Sequence, residues 1–205
     1  MFLKKINPAL ESAIEKLGFQ EPMPIQVKGF PVIKSGKNAL IIGNEKEGKS
    51  TLLALGVIQR LKEAVGDVPR AIILVKDKEH GESLEETFIS LAKKTDLRIF
   101  RTFKGGDIEL HRNSIYLGCD IVIGTAKRLN EIYLANGLNS RDLLIYGIDN
   151  AEKIVKAEVV IQLDKLTDRM PKCQHILMSN SRTKGIERYL ERYLDRVEVV
   201  KIDNQ

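Results

Sequence analysis

Short apolar runs alternate with longer amphipathic stretches along most of the chain. Several of the runs are apolar at successive residues, which is typical of β-strands that are covered on both faces. The pattern therefore predicts strands at residues 39–42, 71–75, 97–103, 120–123, 143–148, 174–178 and 197–202.

The amphipathic stretches carry apolar residues near i, i+3, i+4 spacing, which indicates helices. Strands and helices that alternate in this way predict an α/β fold, in which right-handed crossovers produce an open, mainly parallel sheet between two layers of helices. Ligands of such folds bind at the carboxyl ends of the strands. The expected helices lie at residues 8–17, 51–64, 84–92, 129–134, 154–166 and 186–194.

Composition narrows the class of protein. The chain has 205 residues, 43% of them hydrophobic and 30% charged, which suits one globular domain and excludes a largely disordered chain. No apolar run approaches the roughly 18 residues of a membrane span, and the opening residues lack the apolar stretch of a signal peptide. We therefore expect a cytoplasmic protein without a membrane partner. The net charge of +5 permits weak attraction to phosphate polymers but does not require it.

The cysteines and histidines give no sign of a metal site. Cys119 and Cys173 stand singly in apolar segments, which predicts buried free thiols and not a disulfide framework or a zinc site. His80, His111 and His175 are far apart in sequence, and none has the i, i+4 partner of a helical metal pair. They are interpreted as ordinary surface or core residues.

One segment has the spacing of a phosphate-binding loop. Residues 43–50 read Gly-Asn-Glu-Lys-Glu-Gly-Lys-Ser, which fits G-x-x-x-x-G-K-[ST] between a predicted strand and a predicted helix. In such a loop Gly43 and Gly48 permit the tight turn, Lys49 reaches the β- and γ-phosphates, and the hydroxyl of Ser50 faces Mg²⁺. A second carboxylate is expected at the end of another strand, where Asp149 follows residues 143–148.

The same loop contains two acidic residues. Glu45 and Glu47 place negative charge where a polyphosphate would bind, and Lys46 offsets only one of them. A plain strand-to-helix loop without a nucleotide therefore remains an alternative.

Several segments, in order along nearly the whole chain, resemble the N-terminal RecA-like domain of DEAD-box RNA helicases. Residues 18–26 look like the Q motif of that family, and Gln26 matches the glutamine that reads the adenine edge. An aromatic residue upstream stacks on the adenine in the family. Phe2 is a candidate for it, and Phe19 and Thr51 complete the nucleotide-binding residues that the resemblance implies. The implied fold is a RecA-like three-layer α/β sandwich.

Other segments resemble the motifs that touch the RNA backbone in this family. Gly105 and Gly106 resemble its double glycine, and residues 120–129 resemble the segment with its Thr-Pro-Gly-Arg motif, of which Thr125 and Arg128 are kept. The resemblance implies RNA contacts for Lys78, Gly105, Gly106, Thr125, Lys127 and Arg128. Arg101 and Lys104 lie in the same region and either add phosphate contacts or form a solvated basic face.

The motifs for hydrolysis depart from the family pattern. Asp-Glu-Ala-Asp is here Asp149-Asn150-Ala151-Glu152, and Ser-Ala-Thr is Ser179-Asn180-Ser181. The family's glutamate at the position of Asn150 helps to deprotonate the attacking water, and an amide cannot accept that proton at neutral pH. Asp149 and Ser50 would still hold Mg²⁺ through water, so we expect ATP or ADP to bind and hydrolysis to be impaired or absent.

The resemblance covers one RecA-like domain, residues 1–205, in which residues 1–37 carry the Q motif. The second RecA-like domain of the family is expected to be missing, so we expect no autonomous unwinding. RNA and a protein that supplies a second such domain are the candidate partners. Two alternatives remain: an RNA-binding or protein-interaction module that has lost nucleotide binding, and a small P-loop kinase, which would leave the Q-motif match unexplained.

Overall fold

The computed structural model describes residues 5–103 and 105–202. Its sheet has the strand order β3-β4-β2-β5-β6-β1-β7, and every neighbouring pair is parallel. This confirms the predicted α/β class. The strands are β1 (Ala39–Ile42), β2 (Ala71–Leu74), β3 (Ile99–Thr102), β4 (Ile121–Gly124), β5 (Ile145–Ile148), β6 (Gln174–Ser179) and β7 (Glu198–Lys201).

The helices that the structure describes lie before, between and after these strands. Two helices were not predicted. One is α2 (Pro24–Lys34), which contains Pro31, and the other is α5 (Ile108–Tyr116), in which Ile115 is the buried residue. The predicted helix at 154–166 is divided, since α7 ends before Lys156, the N-cap of α8. The helices are α1 (Pro8–Lys16), α2 (Pro24–Lys34), α3 (Lys49–Leu61), α4 (Lys78–Ala92), α5 (Ile108–Tyr116), α6 (Ala126–Leu134), α7 (Ala151–Ile154), α8 (Ala157–Thr167) and α9 (Lys184–Tyr193).

The core has two layers, one on each face of the sheet. Successive strand side chains point to opposite faces, so Ile41 and Ile73 pack with α1–α4, whereas Leu40 and Ile72 pack with α6, α8 and α9. Each fully buried Leu or Ile side chain contributes roughly 1.5–3 kcal/mol of hydrophobic stabilisation. The sheet is therefore the middle layer of a three-layer sandwich, and its central strands are buried on both faces.

All strands end at one edge of the sheet because all are parallel, and the strand order divides this edge. The ends of β5, β6 and β1 lie side by side, and we call this part the phosphate-loop half. The ends of β2, β4 and β3 form the double-glycine half, with the loops that lead to α4, α6 and α5. The fold thus separates the predicted nucleotide residues from most of the predicted RNA residues.

Two further expectations concerned the cysteines and membrane-spanning segments. Cys119 and Cys173 are free thiols, as predicted, although only Cys119 is fully buried. None of the helices in the described ranges is long and apolar enough to cross a bilayer.

Candidate functional site

The loop between β1 and α3 has the backbone shape of an anion-binding turn. Lys46 and Gly48 have φ angles of 64° and 77°, and Gly48 is the N-cap of α3. The first backbone bond into the helix runs from Leu52 N to Gly48 O (2.8 Å). The amides of residues 49–51 precede that bond, so they are oriented towards the end of the helix, where an anion binds.

Lys49 lies at the centre of this loop. Its side chain is buried, and its Nζ donates to Gly43 O (2.7 Å) and to Asn44 O. An ammonium has three donors, so one remains for a ligand. Burial lowers the pKa of Lys49, and the carboxylates of Asp149 and Glu152 oppose this shift. The backbone carbonyls of the loop therefore hold the Lys49 ammonium in place.

The acidic residues of the loop are not bonded to Lys49. Glu47 accepts hydrogen bonds from Asn44 N (2.8 Å) and Asn44 Nδ2 (3.0 Å), and it folds back over the first turn of the loop. Glu45 and Lys46 are exposed. These hydrogen bonds stabilise the negative charge of Glu47, so they reduce the repulsion expected between this carboxylate and a bound polyphosphate.

Ser50 and Asp149, which were both predicted to hold Mg²⁺ through water, lie next to each other. Asp149 follows β5 and is fully buried, and its Oδ2 accepts a hydrogen bond from Ser50 Oγ (2.7 Å). Its Oδ1 accepts a hydrogen bond from the backbone N–H of Asn150 (3.1 Å). Hydroxyl and carboxylate oxygens are the ligands that Mg²⁺ prefers, directly or through water, so the residues present fit this ion.

A third side chain contacts Asp149 that sequence reasoning did not single out. His80, in the first turn of α4, places Nε2 2.9 Å from Asp149 Oδ2. The available signal was topological, because α4 follows β2, which pairs with β5. The interpretation of His80 as an ordinary surface or core residue missed this contact.

The residues that resemble the second and third hydrolysis motifs lie together. Glu152 Oε2 accepts hydrogen bonds from Ser179 Oγ (2.8 Å) and Asn180 N (3.1 Å). Ser179 Oγ also lies 2.7 Å from Ser181 O. These contacts connect the end of β6 to the first turn of α7. Asn150, which directly follows Asp149, has a left-handed backbone (φ 56°).

A cleft of about 500 Å³ lies beside the phosphate loop. Gln26 is buried at its base: its Oε1 accepts from Met23 N (3.0 Å) and its Nε2 donates to Gly48 O (3.3 Å). Gly48 has a left-handed backbone (φ 77°) that favours glycine, and a Cβ there would lie 2.6 Å from Gln26 Nε2 and would displace that amide. Phe2 lies outside the described residues. The cleft is lined by Gly18, Phe19, Gln20, Glu21, Met23, Gln26, Gly48 and Thr51.

The double-glycine half presents a mixture of exposed and internal groups. Lys78, Gly105, Gly106 and Lys127 are exposed. Thr125 is the N-cap of α6, and its side chain accepts from Arg128 N (3.3 Å). The exposed groups lie at the ends of β2, β3 and β4, so the fold brings them to one surface.

Arg101 and Arg128, in this half, are both bonded to other groups of the protein. Arg101 bonds Glu82 (2.5 Å) and Glu85 (2.6 Å) on α4. Arg128 is only 6% exposed. Its guanidinium donates to Gly106 O (2.6 Å), His111 Nδ1 (3.0 Å), Thr102 Oγ1 (3.4 Å) and Glu131 Oε2 (3.2 Å). At most one of its five N–H groups is left for a phosphate.

A family model for DEAD/DEAH box helicases matches residues 23–189, and the chain belongs to this family. Prp5 of Meyerozyma guilliermondii, a pre-mRNA-processing ATP-dependent RNA helicase, is 26% identical over 195 residues. The ATP-dependent RNA helicase DeaD of Buchnera aphidicola is 22% identical over 201 residues. The match was predicted from the order of the motifs.

Solved structures show the same fold. A DEAD box protein from Methanococcus jannaschii superposes with a TM-score of 0.88 over 96% of this chain and 54% of the other, at 20% identity. A variant of S. cerevisiae Dbp5, bound to Nup159, Gle1, IP6 and ADP, gives 0.85 over 97% of this chain and 53% of the other, at 17% identity. This confirms the RecA-like sandwich.

The chain spans only part of these relatives. It covers 23% of the M. guilliermondii protein and 33% of the B. aphidicola protein. The activity of the whole relatives is therefore a separate question from the fold and family of this domain.

Proposed function

We propose that this domain binds ATP or ADP with Mg²⁺ at the phosphate-loop half and the backbone of single-stranded RNA at the double-glycine half. It hydrolyses the nucleotide slowly or not at all. The observation that carries the proposal is the 2.7 Å contact between Ser50 Oγ and Asp149 Oδ2, beside a Lys49 that keeps one free donor. This is the set of groups that a magnesium-bound polyphosphate requires.

The roles of the nucleotide-binding residues follow from their positions. The amides of residues 49–51 and the Lys49 ammonium would bind the phosphates. The oxygens of Ser50 and Asp149 would hold Mg²⁺, which would neutralise negative charge on the phosphates. The cleft beside Gln26 and Phe19 would hold the base. The family and the ADP bound to the Dbp5 relative support an adenine nucleotide.

Slow hydrolysis is proposed from Asn150. Its side-chain amide can hydrogen-bond a water but cannot take its proton, and a general base typically contributes about 10²- to 10⁴-fold to a rate. The other carboxylate of this motif, Glu152, is directed to the end of β6, where its Oε2 accepts from Ser179 and Asn180.

RNA binding is proposed for the exposed surface around Lys78, Lys127 and the double glycine. Contacts of this kind bind phosphate and sugar without reading sequence. We further propose that unwinding needs a second RecA-like domain in addition to the residues described here, because closure of two such domains around ATP would supply an arginine finger, worth roughly 10³- to 10⁵-fold in phosphoryl transfer.

Calorimetric titration tests nucleotide binding. Mg·ATP should bind the wild type, and Lys49→Ala should weaken binding by at least about tenfold, since it removes the buried ammonium that faces the phosphates. Lys46→Ala is the matched control, because it removes an exposed lysine from the same loop and should have a much smaller effect. If neither the wild type nor Lys49→Ala binds at millimolar Mg·ATP, nucleotide recognition is refuted.

A second candidate function is an RNA-binding or protein-interaction module without nucleotide binding. The hydrogen bonds of Glu47 to Asn44 favour it, because they keep a carboxylate in the loop where a phosphate would bind. Binding of single-stranded RNA measured at a series of salt concentrations distinguishes an RNA-binding module from a protein-interaction module. Phosphate contacts weaken as salt rises, whereas a flat response leaves a protein partner as the remaining possibility.

A further inference from the structure

His80 connects two neighbouring strand ends at the candidate magnesium site. β2 pairs with β5, and Asp149 N donates to Leu74 O (3.0 Å), so the segments after these strands are adjacent. The side chain of Asp77 accepts from His80 N (2.8 Å) and fixes the first turn of α4. The imidazole therefore projects from a capped helical turn onto a fully buried carboxylate.

The bonding partners define the tautomer of the ring. The Asp149 carboxylate can only accept hydrogen bonds, so Nε2 of His80 carries the proton that it donates at 2.9 Å. In the neutral ring Nδ1 is then an acceptor. It is buried and has no hydrogen-bond partner among the described residues. The ring thus makes one polar contact, and this contact is with Asp149.

This contact matters because Ser50 and His80 share Oδ2 of Asp149. A hydroxyl has one donor and two lone pairs, so Ser50 can bind a cation through a lone pair while its O–H still donates to Asp149. The bond from His80 is compatible with a bound cation, and it would keep the carboxylate in the same orientation. Hydrogen bonds of this kind, made to a metal-binding carboxylate by a second side chain, typically change metal affinity by about 10- to 100-fold.

We propose that His80 is a positioning residue for the magnesium side of the nucleotide site. It holds Asp149 so that Mg²⁺ and the nucleotide bind together. The proposal rests on the proposed function. It attributes to His80 part of the gain in nucleotide affinity that Mg²⁺ provides.

The test measures the affinity of a non-hydrolysable ATP analogue with Mg²⁺ and with EDTA. In His80→Leu the gain from Mg²⁺ should fall about tenfold or more, while the affinity in EDTA stays the same. His80→Gln keeps an N–H donor and should restore most of the gain. Ser83→Leu places the same new side chain on the exposed face of α4 and should behave as wild type.

A purely structural role would lower the melting temperature and both affinities together, and it would not be rescued by glutamine. The proposal is overturned if His80→Leu keeps the wild-type gain. It is also overturned if the wild type binds the analogue equally well with and without Mg²⁺, because Asp149 would then hold no cation.

A measurement without nucleotide separates this proposal from the proposed function. Nitrogen NMR of the nucleotide-free protein should show His80 protonated at Nε2, and Mn²⁺ should broaden its ring signals. If the wild type binds no analogue under either condition, the proposed function fails. The NMR result then decides on His80, and a proton on Nδ1 or an absence of broadening at millimolar Mn²⁺ overturns the proposal.

Discussion

Asn150 is the residue that separates binding from hydrolysis in this domain. It lies directly after the buried Asp149, and its backbone has a left-handed conformation (φ 56°), which asparagine adopts more readily than most residues. The local fold is therefore compatible with asparagine, while its amide lacks the basicity that hydrolysis needs.

Restoring a carboxylate at this position should restore part of the reaction. We expect Asn150→Glu to raise the rate of phosphate release from Mg·ATP in the presence of RNA by about 10²-fold, since a general base contributes this much or more. The left-handed backbone should cost the variant about 1 kcal/mol of stability. Asn150→Gln has the same length without the base and is the control. Equal rates for the two variants would contradict the role assigned to Asn150.

At the scale of elements, Arg128 connects the end of β3, the double-glycine loop and α6. Because the guanidinium always donates, Nδ1 of His111 must accept, which places the proton of the neutral ring on Nε2. Burial and the nearby Arg128 charge lower the pKa of His111, which keeps the ring neutral. A Cβ on Gly106 would lie 2.5 Å from this ring, so the loop and the ring fit closely.

This arrangement predicts that Arg128 orders the double-glycine loop and keeps at most one N–H group for a phosphate. Arg128→Gln and the uncharged exchange His111→Phe should both speed hydrogen exchange of the amides of residues 105–107, because each removes a contact that holds the loop. Lys127→Gln, an exposed neighbour, should leave that exchange unchanged. Unaltered protection in Arg128→Gln would contradict the prediction, whether or not the protein binds RNA.

The elements also show where a sequence pattern is informative. The strands were predicted to within about two residues, and five of them, β1, β2, β4, β5 and β6, are buried at every position, whereas the edge strands β3 and β7 are only partly buried. α2 was missed because Pro31 lies inside it, and α5 because exposed residues such as Leu110 obscure its apolar face. Periodicity detects a helix only when burial has one clear direction.

At the scale of the whole molecule, strand order explains which parts of the site were predictable. Motif spacing identified Lys49, Ser50 and Asp149, and the parallel sheet brings them together. The contact of His80 with Asp149 crosses between β2 and β5, which are distant in sequence, whereas that of Arg128 with Gly106 joins the ends of the successive strands β3 and β4. These pairings depend on the order β3-β4-β2-β5-β6-β1-β7, which no single segment encodes.

The buried His175 predicts how the stability of the whole domain depends on pH. Burial lowers the pKa of His175 to about 4, against about 6.5 in an unfolded chain. Between these values the unfolded state binds the proton and the folded state does not, so stability falls as pH falls. This residue should make the domain about 3 kcal/mol less stable at pH 4 than at pH 7.

Urea unfolding at several pH values measures this effect. His175→Gln cannot titrate, so its stability should depend less steeply on pH than that of the wild type between pH 6.5 and 4. All other groups titrate in both proteins and cancel in the comparison. Parallel pH profiles would contradict the assigned pKa shift.

The central claim is that the turn between Ile42 and Thr51 holds a triphosphate. A crystal structure with Mg²⁺ and a non-hydrolysable ATP analogue tests it most directly. The account predicts phosphate density at the amides of residues 49–51 and at Lys49 Nζ, with the cation between Ser50 and Asp149. A structure at saturating analogue that shows no phosphate there, with Glu47 still bonded to Asn44, would contradict it.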